Sequence, residues 1–247
     1  GGDLVAVTRS RLFRLFALLT CLLALPLAPA SAATPKSWRV VMIAGDSSAP
    51  VFDNAVTKLG ELLAGKKGVE LRALTSDGIY SSEERPLATA QSIDDALGDN
   101  LAQGCLVFMT SHGTVDGLYL RHDIDHGRML SPGRLGRILD KRCGDRPTVI
   151  VASACHSGVF IAKATKGDNR IILAAARDDR VSFGCGADFE LTYFDECLLK
   201  AWPKGGTWQQ LFDRTSTCVR LKEAELSETS SLPQSFFGAK VKDLELP

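Results

Sequence analysis

Two short blocks of this chain carry residue types that do chemistry together. Thr110-Ser111-His112-Gly113 closes one apolar run, and Ala154-Cys155-His156-Ser157-Gly158 closes another. A cysteine nucleophile needs a route to the thiolate, a proton donor for the leaving group and donors for the oxyanion. Cys155 supplies the thiol and precedes an expected helix start at Ser157 to Phe160, where a helix N-terminus lowers a thiol pKa. His112 is placed to protonate a departing amine. Gly113 has no side chain, so its N–H can approach a substrate carbonyl closely; with the Cys155 amide it makes the expected oxyanion site. Taken singly, a strand-end Cys or a His-Gly turn is ordinarily inert. Taken together, in this order, they point far more strongly to a cysteine nucleophile with a histidine proton donor.

The two blocks meet only if the runs that end in them are neighbouring strands. Strands are expected at Arg39 to Ala44, Val69 to Leu74, Cys105 to Thr110, Thr148 to Ala154 and Ile171 to Ala176, and several of them are continuous apolar runs that read as central strands covered on both faces. A sixth strand is expected at Ser235 to Val241, and a short extra one at Gly117 to Arg121. Helical spacing falls between them: Phe52 to Ala64, a helix starting at Ser92 with Asp95 three residues on, one starting at Ser131-Pro132, then Asp188 to Trp202 and Thr207 to Glu225. Strands alternating with helices predict an α/β sandwich around a mostly parallel sheet. In such sheets ligands sit beyond the carboxyl ends of the strands, where His112 and Cys155 fall.

Ser111-His112-Gly113 followed by Ser153-Ala154-Cys155-His156-Ser157-Gly158 resembles the caspase–legumain clan of cysteine peptidases, and within it the legumain-like family, peptidase family C13. Val41 to Gly45, Ala176 to Cys185 and Thr192 to Glu196 are similar to further legumain segments. The resemblance implies a caspase-like αβα sandwich with a six-stranded sheet and acyl-enzyme hydrolysis of peptide or protein substrates, with no metal and no cofactor. It places Ser153, Ser182 and Glu196 in the substrate pocket. The chain also departs from the pattern. The Arg-His pair of the legumain Asn pocket is missing from Asp46 to Asn54, Ser153 stands where an acidic residue is usual, and only Asn54 offers itself for the Asn that assists the legumain His. Glu196, or Asp195 beside it, without that pair predicts that Lys or Arg is accepted at the cleaved position, unless Arg177 or Arg180 replaces the missing cation. A transamidase of the same family and a non-catalytic caspase-like binding domain are the alternatives.

The composition suits this reading. The 247 residues are 45% hydrophobic and 23% charged, with 29 basic and 29 acidic side chains, so nothing marks a nucleic-acid binder. His122-Asp123-Ile124-Asp125-His126 is dense in metal-ligand types but reads as a solvated loop, because no third or fourth ligand is near in sequence. Glu190 and Glu196, six apart on the expected helix, do not face one another as paired acids. Trp202, Trp208, Phe236 and Phe237 read as core or pocket walls rather than a stacking platform for bases. Arg9, Arg11 and Arg14, the apolar stretch Leu15 to Leu25 and Ala30-Ser31-Ala32 read as a signal peptide over residues 1–32, its apolar run short of a comfortable bilayer span, so export to a periplasmic or extracellular space with no membrane span after signal removal is expected, an uncleaved N-terminal anchor being the alternative. Six cysteines remain at 105, 143, 155, 185, 197 and 218. If one is a working thiol, at most two disulfides can form, and Cys105 reads as a buried core residue.

Overall fold

The structure, a computed structural model, describes residues 33–98 and 102–247, so the expected signal peptide lies outside the described residues. In chain order the elements are β1 (Trp38–Ala44), α1 (Pro50–Leu63), β2 (Val69–Leu74), α2 (Ala90–Leu97), β3 (Gly104–Thr110), β4 (Gly113–Thr114), β5 (Gly117–Tyr119), β6 (Met129–Leu130), α3 (Pro132–Arg142), β7 (Thr148–Ser153), β8 (Arg170–Ala174), α4 (Tyr193–Ala201), α5 (Trp208–Glu225) and β9 (Gln234–Phe237). Six strands form one sheet in the order β2-β1-β3-β7-β8-β9, while β4, β5 and β6 form a small antiparallel sheet. The first five strands of the large sheet are parallel, and β9 runs antiparallel beside β8.

The apolar runs are continuous because both sheet faces are covered. Val40, Met42, Leu106, Phe108, Val149, Val151, Ile171 and Leu173 pack on one face against α1, α4 and α5, where Phe52, Leu59, Phe194, Leu198, Trp208 and Leu211 are buried. The alternate residues Val41, Ile43, Val107, Met109, Ile150, Ala152 and Ile172 pack on the other face against Ile93 and Leu97 of α2 and Leu135 and Leu139 of α3. Each large aliphatic side chain among them, fully buried, contributes about 1.5–3 kcal/mol. The result is the three-layer αβα sandwich expected from the sequence, with Trp202 and Trp208 in the core.

Several boundaries differ from expectation for local reasons. Helix α2 begins before Ser92, because Thr89 is its N-cap and accepts the Ser92 N–H. Helix α4 begins at Tyr193 rather than near Asp188, because Thr192 caps it by accepting the Asp195 N–H; Glu190 therefore precedes the helix. Strand β9 stops at Phe237, where Gly238 packs so tightly that a Cβ would lie 2.2 Å from the Gly167 carbonyl oxygen. The Ser131-Pro132 start is as expected, with Ser131 accepting the Arg134 N–H. The segment from His122 to His126 is a largely exposed turn, as expected, anchored by one buried residue. Asp123 is buried, its carboxylate bonded to His126 Nδ1 at 2.6 Å and accepting the Ala90 N–H at 3.2 Å.

Cys105 is buried but not a free core residue: it is bridged to Cys143 at the end of α3, and Cys197 is bridged to Cys218 between α4 and α5. Packing α3 across β3 brings Cys105 and Cys143 to a Cα–Cα distance of 6.3 Å, inside the range a disulfide spans. Cys155 and Cys185 are free thiols.

Candidate active site

Strand register assembles the site. Ala44 of β1, Thr110 of β3 and Ser153 of β7 lie in one row across the sheet. Two residues beyond that row on each strand stand Asp46, His112 and Cys155. The ladder continues past the strand ends, with Gly45 N–H donating to Thr110 O at 3.0 Å and Ser111 N–H to Ser153 O at 3.2 Å. Main-chain pairing therefore holds the three loops side by side. His112 and Cys155 line one narrow cleft, together with Phe52, Ser111, Ser153, Ala154, Ser182, Phe183, Cys185 and Thr192.

Asp46 is a site residue that the sequence motifs do not single out. Its Oδ2 lies 3.8 Å from His112 Nε2, and the edge-on ring of Phe52, 5.2 Å from the imidazole centroid, packs the same side chain. Burial alone would raise the Asp46 carboxyl. Hydrogen bonds from the Ser48 N–H and hydroxyl, with Arg121 at 3.0 Å, outweigh it and hold the group below the usual carboxylate range. Asp46 is thus a fixed anion behind a half-exposed imidazole.

The thiol sits in the opposite electrostatic situation. Burial pushes Cys155 up, and the neighbouring Cys185 adds to this, while the Ser182 backbone N–H, 3.3 Å from Sγ, works against it. The helix expected after Cys155 is a single 3-10 turn over Ser157–Phe160, too short for the dipole lowering that the sequence suggests. The resting group is a neutral thiol that depends on a base.

Backbone geometry around Cys155 is tight. His156 takes a left-handed conformation at φ 56°, its N–H bonded to Arg180 O at 2.7 Å and its Nδ1–H to Asp178 O at 2.8 Å. That turns the chain sharply after Cys155. A Cβ on Gly113 would lie 2.2 Å from the Cys155 carbonyl oxygen, so only glycine lets β4 approach the loop after β7 this closely.

Beneath the cleft lies a buried acid. Asp195 is fully buried, accepts from Thr110 Oγ1 at 2.8 Å, and keeps its Oδ1 without a hydrogen-bond partner among the described residues. Burial pushes its pKa up to about 6, against lowering by the Thr110, Ser153 and Thr192 hydroxyls. The folded value thus lies above that of an unfolded aspartate. Asp195 therefore contributes stability that is fully present below the unfolded value and is lost as pH rises through about 6. Asp195→Asn, which cannot ionise, removes this dependence. The stability difference between variant and wild type, from urea midpoints, is expected to move in the variant's favour by about 2–3 kcal/mol between pH 4 and pH 8. An unchanged difference contradicts it.

The expected pocket residues separate into two groups. Ser153 and Ser182 line the cleft with His112 and Cys155. Glu196 does not: its carboxylate is paired with Lys200 and with Lys222 of α5, and it lines a second cavity of about 490 Å³ with Glu190 and Lys58. Successive helix residues are about 100° apart, so with Asp195 turned under the sheet ends, Glu196 must face elsewhere. Asn54 is also away from His112, its amide donating to Glu190 O at 3.0 Å. Arg177 and Arg180 pair with Asp179 and do not line the cleft.

A six-stranded, mostly parallel sheet between helical layers, with His and Cys at adjoining strand ends, defines a caspase-like α/β protein. A structure of caspase-1 from Spodoptera frugiperda superposes on it with a TM-score of 0.58 at 16% identity, over 86% of this chain and 91% of that one. The model of the Peptidase C13 family matches residues 91–219, and the chain belongs to that family of cysteine peptidases. No curated protein sequence matches it.

Proposed function

We propose that this protein is a cysteine endopeptidase that cleaves peptide bonds through a Cys155 thioester. The observation that carries the reading is the shared cleft: Cys155 and His112, each two residues past one sheet row, with the Asp46 carboxylate behind the imidazole. A raised thiol pKa makes a neutral Cys155 thiol the resting state. On substrate binding, the imidazole nitrogen away from Asp46 takes the thiol proton as sulfur attacks the carbonyl carbon. The Gly113 and Cys155 amides hold the oxyanion, and the imidazolium, stabilised by Asp46, gives its proton to the leaving amine. Water then attacks the thioester, with His112 again as base, and frees the thiol. Ser153 and Ser182 contact the substrate, and Glu196 has no part in binding it.

Incubation with a peptide library plus an added amine tests the reading. New C-terminal carboxylates are expected. Amide-capped products alone point to a transamidase, and retention of intact peptide points to a binding domain.

Asp46 acts by stabilising the imidazolium that forms during turnover and by holding the ring in place. Asp46→Asn keeps one oxygen to accept the Ser48 N–H, gives up the acceptor for the Ser48 hydroxyl and removes the charge. For a half-exposed pair the expected loss in kcat is about tenfold, with KM little changed. Steady-state kinetics on one matched peptide decide this, and an unaltered kcat removes Asp46 from the mechanism.

The disulfides Cys105–Cys143 and Cys197–Cys218 support the reading of residues 1–32 as an export signal, since such bridges persist in oxidising compartments. Among the described residues, no helix is long and apolar enough to cross a membrane.

A further inference from the structure

The cleft beside Cys155 runs into a slot whose walls define what it admits. Ser153 and Thr192, only 1% and 5% exposed, lie at its deep end with their hydroxyls 3.3 Å apart. The fully buried Asp195 lies behind them, its own N–H bonded to Thr192 Oγ1. Phe52 and Phe183 make apolar sides, and Ser182 and Cys185 complete the wall. The whole opening measures about 240 Å³. Its free interior has room for little more than one water-sized sphere. Among the described residues, no Asp, Glu, Lys or Arg side chain lines it.

These observations constrain a substrate, given the peptidase reading above, on which this inference rests. The carbonyl attacked by Cys155 belongs to the residue whose side chain branches one atom away, so that side chain is the one delivered into the slot next to Sγ. An ionic side chain there loses its hydration and meets hydroxyls and aromatic rings, while the nearby acid Asp195 is fully buried behind Ser153 and Thr192 and does not line the slot to pair with it. A long one meets Phe52, which is locked in the core at 1% exposed, or Phe183. A methyl or hydroxymethyl group fits, and a hydroxyl gains hydrogen bonds from Ser153 or Thr192.

We infer that the slot selects a small uncharged side chain, of Ala or Ser size, at the residue on the acyl side of the cleaved bond, and that Phe183 sets its length. Phe183 is the adjustable wall because it is half-buried, with its ring stacked 6.1 Å from that of Tyr193, rather than part of the closed core. The selection replaces the acceptance of Lys or Arg that Glu196 suggests, since Glu196 faces another cavity.

The test compares kcat/KM on peptides that differ only at this residue, carrying Ala, Ser, Asn, Asp, Lys, Arg or Leu, for the wild type and for Phe183→Ala. Ala and Ser are expected to exceed each of the others by at least about tenfold in the wild type. Phe183→Ala should raise cleavage after Leu by about tenfold or more, leaving Asp, Lys and Arg poor. Phe183→Leu, a smaller change, serves if the alanine variant melts early. Preference for Asn, Asp, Lys or Arg overturns the inference, as does a ranking that both Phe183 variants leave unchanged. If no peptide is cleaved and Cys155 resists labelling by the matching peptidyl acyloxymethyl ketones, the peptidase reading itself falls, and this inference with it.

Discussion

Cys155→Ala is expected to lower kcat/KM by about 10⁴-fold or more, and His112→Ala by a comparable factor, with little effect on the melting temperature. The reason is the mutual dependence of the two groups. Burial holds the Cys155 thiol neutral, so without His112 it has no base, and without Cys155 the imidazole has no nucleophile to activate. Residues that act as one unit lose their effect together, so the double variant should be scarcely worse than either single one. Neither side chain belongs to the closed core, His112 being 45% exposed and Cys155 half-buried, so truncation leaves no large cavity there. A double variant that falls by the product of the single effects indicates two independent contributions and contradicts the coupled mechanism.

Loss of the disulfides is expected to have the largest effect on stability. Cys105–Cys143 closes 38 residues and Cys197–Cys218 closes 21. By loop-closure entropy these constrain the unfolded chain by about 4 and about 3 kcal/mol respectively. The first ties the start of β3 to the end of α3, and the second ties α4 to α5, so each also fixes a helical layer that backs the site. Replacing Cys105 and Cys143 together by alanine should lower the melting temperature by roughly 10 °C, and a reductant should do at least as much to the wild type. A wild-type melting temperature unmoved by reductant would show that the bridges do not contribute.

Much of this architecture is legible in the sequence, because its central strands carry an unambiguous pattern. A run such as Thr148-Val149-Ile150-Val151-Ala152 is apolar on both alternating faces only where helices cover both sides of a sheet. The two blocks at His112 and Cys155 are legible because each ends such a run and has a glycine close behind. Asp46 is not, although it follows β1 and Gly45 in a similar way. Its approach to His112 depends on the pairing of Ala44 with Thr110, and register between distant strands is not written in either strand alone.

The misplacement of Glu196 has a different cause. The Thr192 to Glu196 segment suggests a pocket residue by its likeness to other sequences, but which of two adjacent acids faces the site depends on where the helix starts. Thr192 is the cap, α4 begins at Tyr193, and that phase turns Asp195 inward and leaves Glu196 to Lys200 and Lys222. Cys105 misleads for a similar reason. An apolar setting is equally compatible with a free thiol and a bridge, and only the packing of α3 on β3 brings Cys143 within reach.

The central claim is that Cys155, and not the other free thiol of the cleft, carries the acyl group. The direct measurement is rapid-quench mass spectrometry of the wild type turning over a peptide ester, with the modified residue located by peptide mapping. The account predicts a transient acyl adduct on the peptide that contains Cys155, formed and lost at rates matching turnover and absent from Cys155→Ala. An adduct on Cys185, or turnover with no thioester on either cysteine, would contradict it.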